Sequence, residues 1–176
     1  MSGHSKWAQI KRQKGAEDSK KSKLFGKLGS LIATESRKSN GDMNSPGLRT
    51  LIEKAKKENM PKDTIERAVK KGAGGETEAM EELTYEAYGP GGCALIIEAF
   101  TGNRNKSAQE IKFILSKHGG SLAAQGSALW AFTKTAEGWE PNSPLPLADQ
   151  DGATLSALIE ELEGNDEVQE VYTNAD

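Results

Sequence analysis

Apolar side chains in the first 75 residues recur every three to four positions, which is the period of an amphipathic helix. Three helices are predicted, beginning near residues 16, 46 and 61. Ser45 and Pro46 mark the second start as a cap followed by proline, and Gly72 is placed to end the third helix. The predicted inward residues are Leu24, Phe25, Leu28, Leu31, Ile32, Leu48, Leu51, Ile52, Ala55, Ile65, Ala68 and Val69. Three short helices predict a small bundle with a thin core.

The rest of the chain mixes the two-residue period of strands with further helical segments. Strands are predicted over 83–88, 93–100, 128–132 and 168–172, and helices over 105–118 and about 155–162, the latter ended by Gly164. A proline-rich stretch at 139–146 is predicted to be a loop or an edge strand. The predicted fold class is therefore α+β: an N-terminal three-helix domain followed by an α+β sandwich. Its helices are expected on one face of a mostly antiparallel sheet.

Length and composition agree with a folded cytoplasmic protein. The chain has 176 residues, of which 35% are hydrophobic, and no apolar run approaches the roughly 20 residues of a membrane helix. The N-terminal residues are charged and lack the apolar core of a secretion signal. A single cysteine, Cys93, forms neither an internal disulfide nor a cysteine metal site.

Charge divides the chain where the hydrophobic pattern changes. Residues 1–75 contain 18 Lys and Arg against 8 Asp and Glu, a net charge of +10. Residues 76–176 contain 5 against 18, a net charge of −13, so the overall −3 hides the contrast. Glycines at 72, 74 and 75 separate the two parts. The sequence predicts a basic helical domain over 1–75, suited to a polyanion, and an acidic α+β domain over 76–176.

No pattern typical of catalysis or metal binding is present. His4 and His118 are the two histidines, and neither belongs to a cluster with metal-ligand spacing. The glycine motifs of dinucleotide and nucleotide sites are missing. His118 precedes Gly119, which favours a role at the end of a helix. We expect no catalytic residue, no metal and no cofactor.

The strongest local feature is a basic N-terminal segment around Trp7. Its cations are Lys6, Lys11, Arg12, Lys14, Lys20, Lys21, Lys23 and Lys27. Lysines attract phosphates without reading sequence, and an exposed tryptophan offers a face on which an unpaired base can stack. Lys20, Lys23 and Lys27 fall on one stripe of the first predicted helix. Arginine is scarce in the segment, which favours contacts to the backbone or shape of a nucleic acid over base reading.

Two other interpretations of this segment remain open. In the first, Trp7 packs on the helical bundle and the lysines are simply solvated. In the second, the basic half of the chain docks on the acidic half.

Several separated motifs resemble the YebC/PmpR family. They are MSGHSKWAQIK at 1–11, KLFGKL at 23–28, NMPKDTIERA at 59–68, YEAYGPGG at 85–92, TGNRN at 101–105 and DEVQEVYTNAD at 166–176. The resemblance implies a helical N-terminal domain, α+β domains after it, and DNA-binding transcriptional regulation without enzymatic activity. For some relatives it implies translational activation in mitochondria or action on ribosomes stalled at proline-rich sequences. It also implies that His4, Lys6, Trp7 and the basic residues after them contact nucleic acid.

One departure from the family is expected in the second half of the chain. The family normally inserts a third α+β domain between the strand near Phe132 and the segment near Pro144, and here residues 133–143 span that interval. Three functions stay open: a DNA-binding transcriptional regulator, a translation factor that binds ribosomal RNA, and a protein-interaction module using the acidic domain. The expected partners are nucleic acid or the ribosome, with no membrane and no small-molecule substrate.

Overall fold

The computed structural model describes residues 17–75 and 80–176, with side chains described from residue 21 onward. These residues divide into two units, Glu17–Glu81 and Glu82–Asp176. The first unit contains the helices α1 Glu17–Ser39, α2 Pro46–Lys57 and α3 Lys62–Ala73. The second contains the helices α4 Arg104–Lys117 and α5 Asp149–Gly164. Within the described ranges, no helix is both long and apolar enough to cross a membrane.

The predicted α+β fold class is confirmed. The strands are β1 Glu81–Tyr88, β2 Ala94–Thr101, β3 Ser121–Leu122, β4 Phe132–Thr135, β5 Gly138–Pro141 and β6 Val168–Thr173. Four of them form a sheet in the order β3-β1-β2-β6, in which the β1–β3 and β2–β6 pairs are antiparallel. Strands β4 and β5 form a separate antiparallel hairpin.

Strand β2 lies between two apolar layers, which explains its nearly continuous hydrophobic sequence. Leu95 and Ile97 belong to the core that contains the buried faces of α4 and α5. Ala94 and Ile96 point the other way, because side chains alternate along a strand, and pack with Phe132 of the hairpin. Helices therefore cover one face of the sheet, as predicted, and the β4–β5 hairpin covers part of the other.

The predicted strand over residues 128–132 is wrong. Residues Leu129–Ala131 form a short 3₁₀ turn, and strand β4 begins only at Phe132. The reason is the buried carboxylate of Glu86, which accepts hydrogen bonds from three backbone N–H groups within residues 126–129, at 2.6 to 2.9 Å. Backbone groups that bind this side chain are not available to a strand ladder.

The start of α2 is only partly as predicted. Pro46 occupies the first helical position, where its missing N–H has no consequence. Ser45 stands at the cap position, but its side chain makes no capping hydrogen bond. The fixed φ angle of proline therefore marks this helix start, without help from a side-chain cap.

The prediction that Gly72 ends α3 is also wrong, because the helix continues to Ala73. Gly72 is buried where α3 approaches α1. A Cβ atom at this position would lie 2.1 Å from the carbonyl oxygen of Ala33 and 2.8 Å from the Cβ of Ser36. Beside it, the Ser36 hydroxyl donates a hydrogen bond to the carbonyl oxygen of Val69 at 2.6 Å. Glycine is needed here because two helix backbones come into contact.

The single cysteine is a core residue of the α+β unit. Cys93 is fully buried, in the same apolar cluster as Leu95. Burial raises the pKa of its thiol, so the group stays neutral at physiological pH. A neutral, inaccessible thiol is a poor nucleophile.

We expect Gly72→Ala to lower the free energy of unfolding of the helical unit by about 2 kcal/mol, the typical cost of overpacking a close contact. Chemical denaturation followed by far-ultraviolet circular dichroism measures this loss. Gly26→Ala is the matched control, since a Cβ there meets nothing within 4 Å. That change should stabilise α1 by up to about 1 kcal/mol through helix propensity. Equal stability of Gly72→Ala and the unchanged protein would contradict the close approach.

We expect Cys93 to resist a thiol-modifying reagent in the native protein at pH 8 and to react fully in denaturant. The physical reason is the combination of complete burial and a raised pKa of the thiol. The modification rate at increasing denaturant concentration then reports opening of the α+β unit. Rapid modification in buffer alone would show that the core around β2 is open.

Candidate nucleic-acid interface

The predicted contact residues fall in three groups. His4, Lys6, Trp7, Lys11, Arg12 and Lys14 lie outside the described residues, and their role stays a prediction. The backbone of Lys20 belongs to α1, while its side chain is outside the description. Lys21, Lys23 and Lys27 are fully described and lie in the first half of α1.

The described lysines of α1 do not share one face. Lys20, Lys23 and Lys27 are three and four residues apart, which keeps them on one stripe of the helix, named here the α1 stripe. Lys21 stands one heptad before the buried Leu28 and is therefore on the other side, toward the helical core. Its Nζ atom lies 5.8 Å from the centre of the Phe25 ring.

The side chains of Lys23 and Lys27 are half-buried and make intramolecular contacts, whereas Lys21 is exposed. The basic segment is therefore not a uniform row of solvated cations. Part of its charge is held against the protein, and Lys21 is the lysine among these three that is largely open to solvent.

Six further exposed lysines of the helical unit have no ion-pair partner among the described residues and were not singled out from the sequence. They are Lys54, Lys56, Lys57, Lys62, Lys70 and Lys71. Among the residues that the structure describes, no carboxylate lies within 4 Å of any of them. The signal that could have found them is their position near helix ends, where side chains point into solvent.

The carboxylates of the same unit are fewer and are partly neutralised. Glu35 pairs with Lys38 at 3.1 Å, and Glu53 pairs with Arg49 at 3.6 Å. Residues 17–75 contain 14 Lys and Arg against 8 Asp and Glu, so this part of the chain carries a net charge of +6. An excess of unpaired cations on a small bundle gives a positive surface potential, which attracts polyanions.

The α+β unit uses most of its few cations internally. Four of the five in residues 80–176 lie on α4: Arg104, Lys106, Lys112 and Lys117. Lys117 and the Nε2 atom of His118 both lie 2.9 Å from the Glu161 carboxylate. Their hydrogen bonds, His118 first and Lys117 second, lower the pKa of Glu161. These groups tie α4 to α5, and the excess of Asp and Glu makes the unit strongly acidic.

Two aromatic rings of the α+β unit are mostly exposed. Phe113 on α4 is 64% exposed, and Trp130 on the 3₁₀ turn is 61% exposed. The indole N–H of Trp130 donates to the Tyr88 hydroxyl at 3.4 Å, which orients the ring. The sequence pattern missed both residues, since it placed Trp130 in a strand and gave Phe113 no role. Aromatic side chains are enriched at protein–protein interfaces, so each ring is a candidate contact for a partner.

Comparison with known proteins matches both parts of the chain. Residues 5–75 match the family described as the TACO1/YebC protein N-terminal domain, and residues 80–137 match the TACO1/YebC second and third domain. The crystal structure of a conserved hypothetical protein from Aquifex aeolicus has a TM-score of 0.75 and 31% identity, and the match covers 98% of this chain and 97% of that one.

Two curated relatives carry the name "Probable transcriptional regulatory protein". The relative from Fervidobacterium nodosum is 49% identical over 173 residues, which cover 96% of this chain and 68% of the relative. The relative from Petrotoga mobilis is 53% identical over 136 residues, which cover 76% of this chain and 54% of the relative. The matched regions thus span about half to two thirds of these longer proteins.

Proposed function

The chain belongs to the TACO1/YebC family, and from this membership and its charge distribution we propose that it is a nucleic-acid-binding regulator of gene expression. The observation that carries the proposal is the concentration of positive charge, +10 in residues 1–75 against −13 in the rest. The name of the relatives indicates that the activity is regulation. The positive charge indicates that the ligand is a nucleic acid, because a basic helical bundle attracts a phosphate backbone.

We infer that the specific activity is DNA-binding transcriptional regulation, in line with the relatives' name. Binding is expected to rest on phosphate contacts and on shape. Bidentate reading of guanine requires a free guanidinium group. In the helical unit Arg49 is engaged by Glu53, and Arg67 donates to the Thr64 hydroxyl. Lysines outnumber arginines in this unit and provide attraction that is independent of sequence.

The alternative is a translation factor that binds ribosomal RNA and assists stalled synthesis. The observation that favours it is the combination of lysines with Trp7 and His4 in a segment that contains little arginine. Folded RNA offers unstacked bases to an aromatic ring, which a closed DNA duplex does not.

A second alternative is a protein-interaction module of the acidic unit. The exposed rings of Phe113 and Trp130 favour it.

We also propose that this chain lacks the third domain that the family inserts after Phe132. The β4–β5 hairpin supports this proposal, because it turns back within the interval 133–143. Phe132 pairs directly with Pro141, and the Asn142 N–H donates to the carbonyl oxygen of Ala131 at 2.8 Å. The short connection therefore closes the α+β unit without an inserted domain.

We expect the triple variant Lys20→Gln, Lys23→Gln, Lys27→Gln to bind duplex DNA with a weaker salt dependence. The slope of log affinity against log salt should fall by roughly 0.9 for each of these lysines that contacts a phosphate, and by about 2.7 at most. Fluorescence anisotropy over a series of salt concentrations measures the slope. The matched control, Lys38→Gln, Lys70→Gln, Lys71→Gln, removes the same charge from the carboxyl ends of α1 and α3. An unchanged slope in the α1-stripe variant would remove that stripe from the interface.

We expect the intact protein to leave ribosomes when excess duplex DNA is added, if transcriptional regulation is its activity. Co-sedimentation with ribosomes at near-physiological salt, with and without a long DNA competitor, measures this partition. Retention on ribosomes against DNA would instead establish the translation alternative, with His4 and Trp7 as the next residues to change. Failure to bind either polyanion would contradict the proposed function and favour the protein-interaction module.

A further inference from the structure

A group of exposed lysines surrounds the end of the helical bundle where α2 passes into α3. Lys54, Lys56 and Lys57 lie in the last turn of α2, and Lys62 begins α3. These four residues are named here the α2–α3 corner. Lys54 and Lys57 lie on one side of α2, and Lys56 lies on the other. All are exposed, and within the described ranges none of them has a carboxylate partner.

The backbone of the turn fixes where these lysines stand. Asn59 adopts a left-handed conformation with φ of 65°. The N–H of Met60 donates to the carbonyl oxygen of Ala55 at 2.9 Å, and the N–H of Asn59 to that of Lys56 at 3.0 Å. This pair of hydrogen bonds, with Met60 buried behind it, is the Schellman end of a helix. The Asn59-Met60-Pro61 sequence is thus explained by the turn, and the lysines are presented on a defined frame.

The corner lies beside the middle of α1. A Cβ atom at Gly29 would stand 3.8 Å from the Cε of Met60, so Gly29 faces the turn. Farther along, Ser36 is bonded to Val69, which shows that α1 and α3 run in the same direction. Lys21 is eight residues before Gly29, about 12 Å along the helix axis, and on the side toward the core. It is rotated by about 80° from the direction of Met60, so it lies nearer the corner side of α1 than the α1 stripe does, about two helical turns away.

The α1 stripe points elsewhere. Lys27 is two residues before Gly29 and is therefore rotated by about 200° from the direction of Met60. Lys20 and Lys23 lie on the same stripe as Lys27. The helical unit consequently has two separate groups of lysines, one on each side of α1.

A purely structural role accounts for only part of the corner. Cations in the last turn of a helix interact favourably with its dipole, which explains Lys54, Lys56 and Lys57. Lys62 is in the first turn of α3, where the same dipole disfavours a positive charge. The exposed carboxylates nearby are Glu53, Glu58, Asp63 and Glu66, and Glu53 is already paired with Arg49. Counting Lys21, five lysines therefore stand against three carboxylates that remain. An external anion would relieve the remaining repulsion.

We propose that the α2–α3 corner, together with Lys21, is a second phosphate-binding surface that takes the phosphodiester backbone of a nucleic acid. The inference rests on the proposed function and adds a second location to it. Two lysine surfaces on opposite sides of α1 contact two stretches of backbone at once. Such an arrangement fits the two sides of a groove, or two neighbouring helices of a folded RNA.

The test removes three charges from the corner of the full chain, with Lys56→Gln, Lys57→Gln and Lys62→Gln. The salt slope for duplex DNA should fall by about 2.7 if each lysine meets a phosphate. The control is again Lys38→Gln, Lys70→Gln, Lys71→Gln, whose slope should fall less, because these lysines contribute to the overall positive charge without lying in the corner. The charge-retaining variant Lys56→Arg, Lys57→Arg, Lys62→Arg should restore the slope. Parallel titrations with a ribosomal RNA fragment show which backbone the corner prefers.

Each outcome is decisive for one of the two proposals. If the corner variant binds like the unchanged protein while the α1-stripe variant loses slope, the second surface is refuted and the proposed function stands. If the corner variant and the control lose slope equally, binding follows overall charge and the corner is not a site. If the unchanged protein binds neither DNA nor RNA, the proposed function itself fails.

A variant that should bind DNA more tightly keeps the proposal testable if the charge-removing variants lose stability. Glu58→Gln with Asp63→Asn raises the positive charge of the corner and leaves every lysine in place. Both carboxylates are exposed, so the fold should tolerate the change. The dissociation constant for DNA at low salt should decrease. A dissociation constant that stays the same or increases would overturn the proposal.

Discussion

The contact between the backbones of α1 and α3 at Gly72 fixes the geometry of the helical unit. Because Gly72 lacks a Cβ, α3 lies directly against the carbonyl oxygen of Ala33, and the Ser36 hydroxyl joins the two helices. This approach aligns α3 with α1 and brings the turn before α3 to Gly29. The positions of all lysines on α2 and α3 relative to α1 depend on that alignment. A local packing constraint in the core thus determines the arrangement of charge on the surface.

The two units treat their charged side chains in opposite ways. In the α+β unit, α4 carries most of the cations, and Glu161 binds Lys117 and His118 there. In the helical unit, the lysines at the end of α2 and at both ends of α3 have no carboxylate partner among the described residues, whereas Lys38 at the end of α1 pairs with Glu35. Paired charges stabilise a tertiary contact modestly, whereas unpaired charges of one sign create a field that reaches a partner. This difference supports assigning polyanion binding to the helical unit.

Much of the fold could be predicted from the sequence, and the errors have specific causes. Periodicity located the buried faces of the three N-terminal helices and the central strand β2, since both patterns depend on local spacing. The strand predicted over 128–132 failed because Glu86, about forty residues earlier in the chain, binds that backbone. The two-residue strand β3 was missed because so short a segment has no period.

For the candidate site as well, some features could be predicted from the sequence and others depended on the tertiary structure. The sequence by itself determined the helices, the α+β class, the family and the segregation of charge, because composition and local periodicity are properties of the chain. Only the tertiary structure decided that Gly72 is a contact between helices, that Lys21 and the α1 stripe lie on different sides, and that the α2–α3 corner lies beside α1. Those facts depend on how helices pack against one another, and side chains distant in sequence share a surface only through that packing.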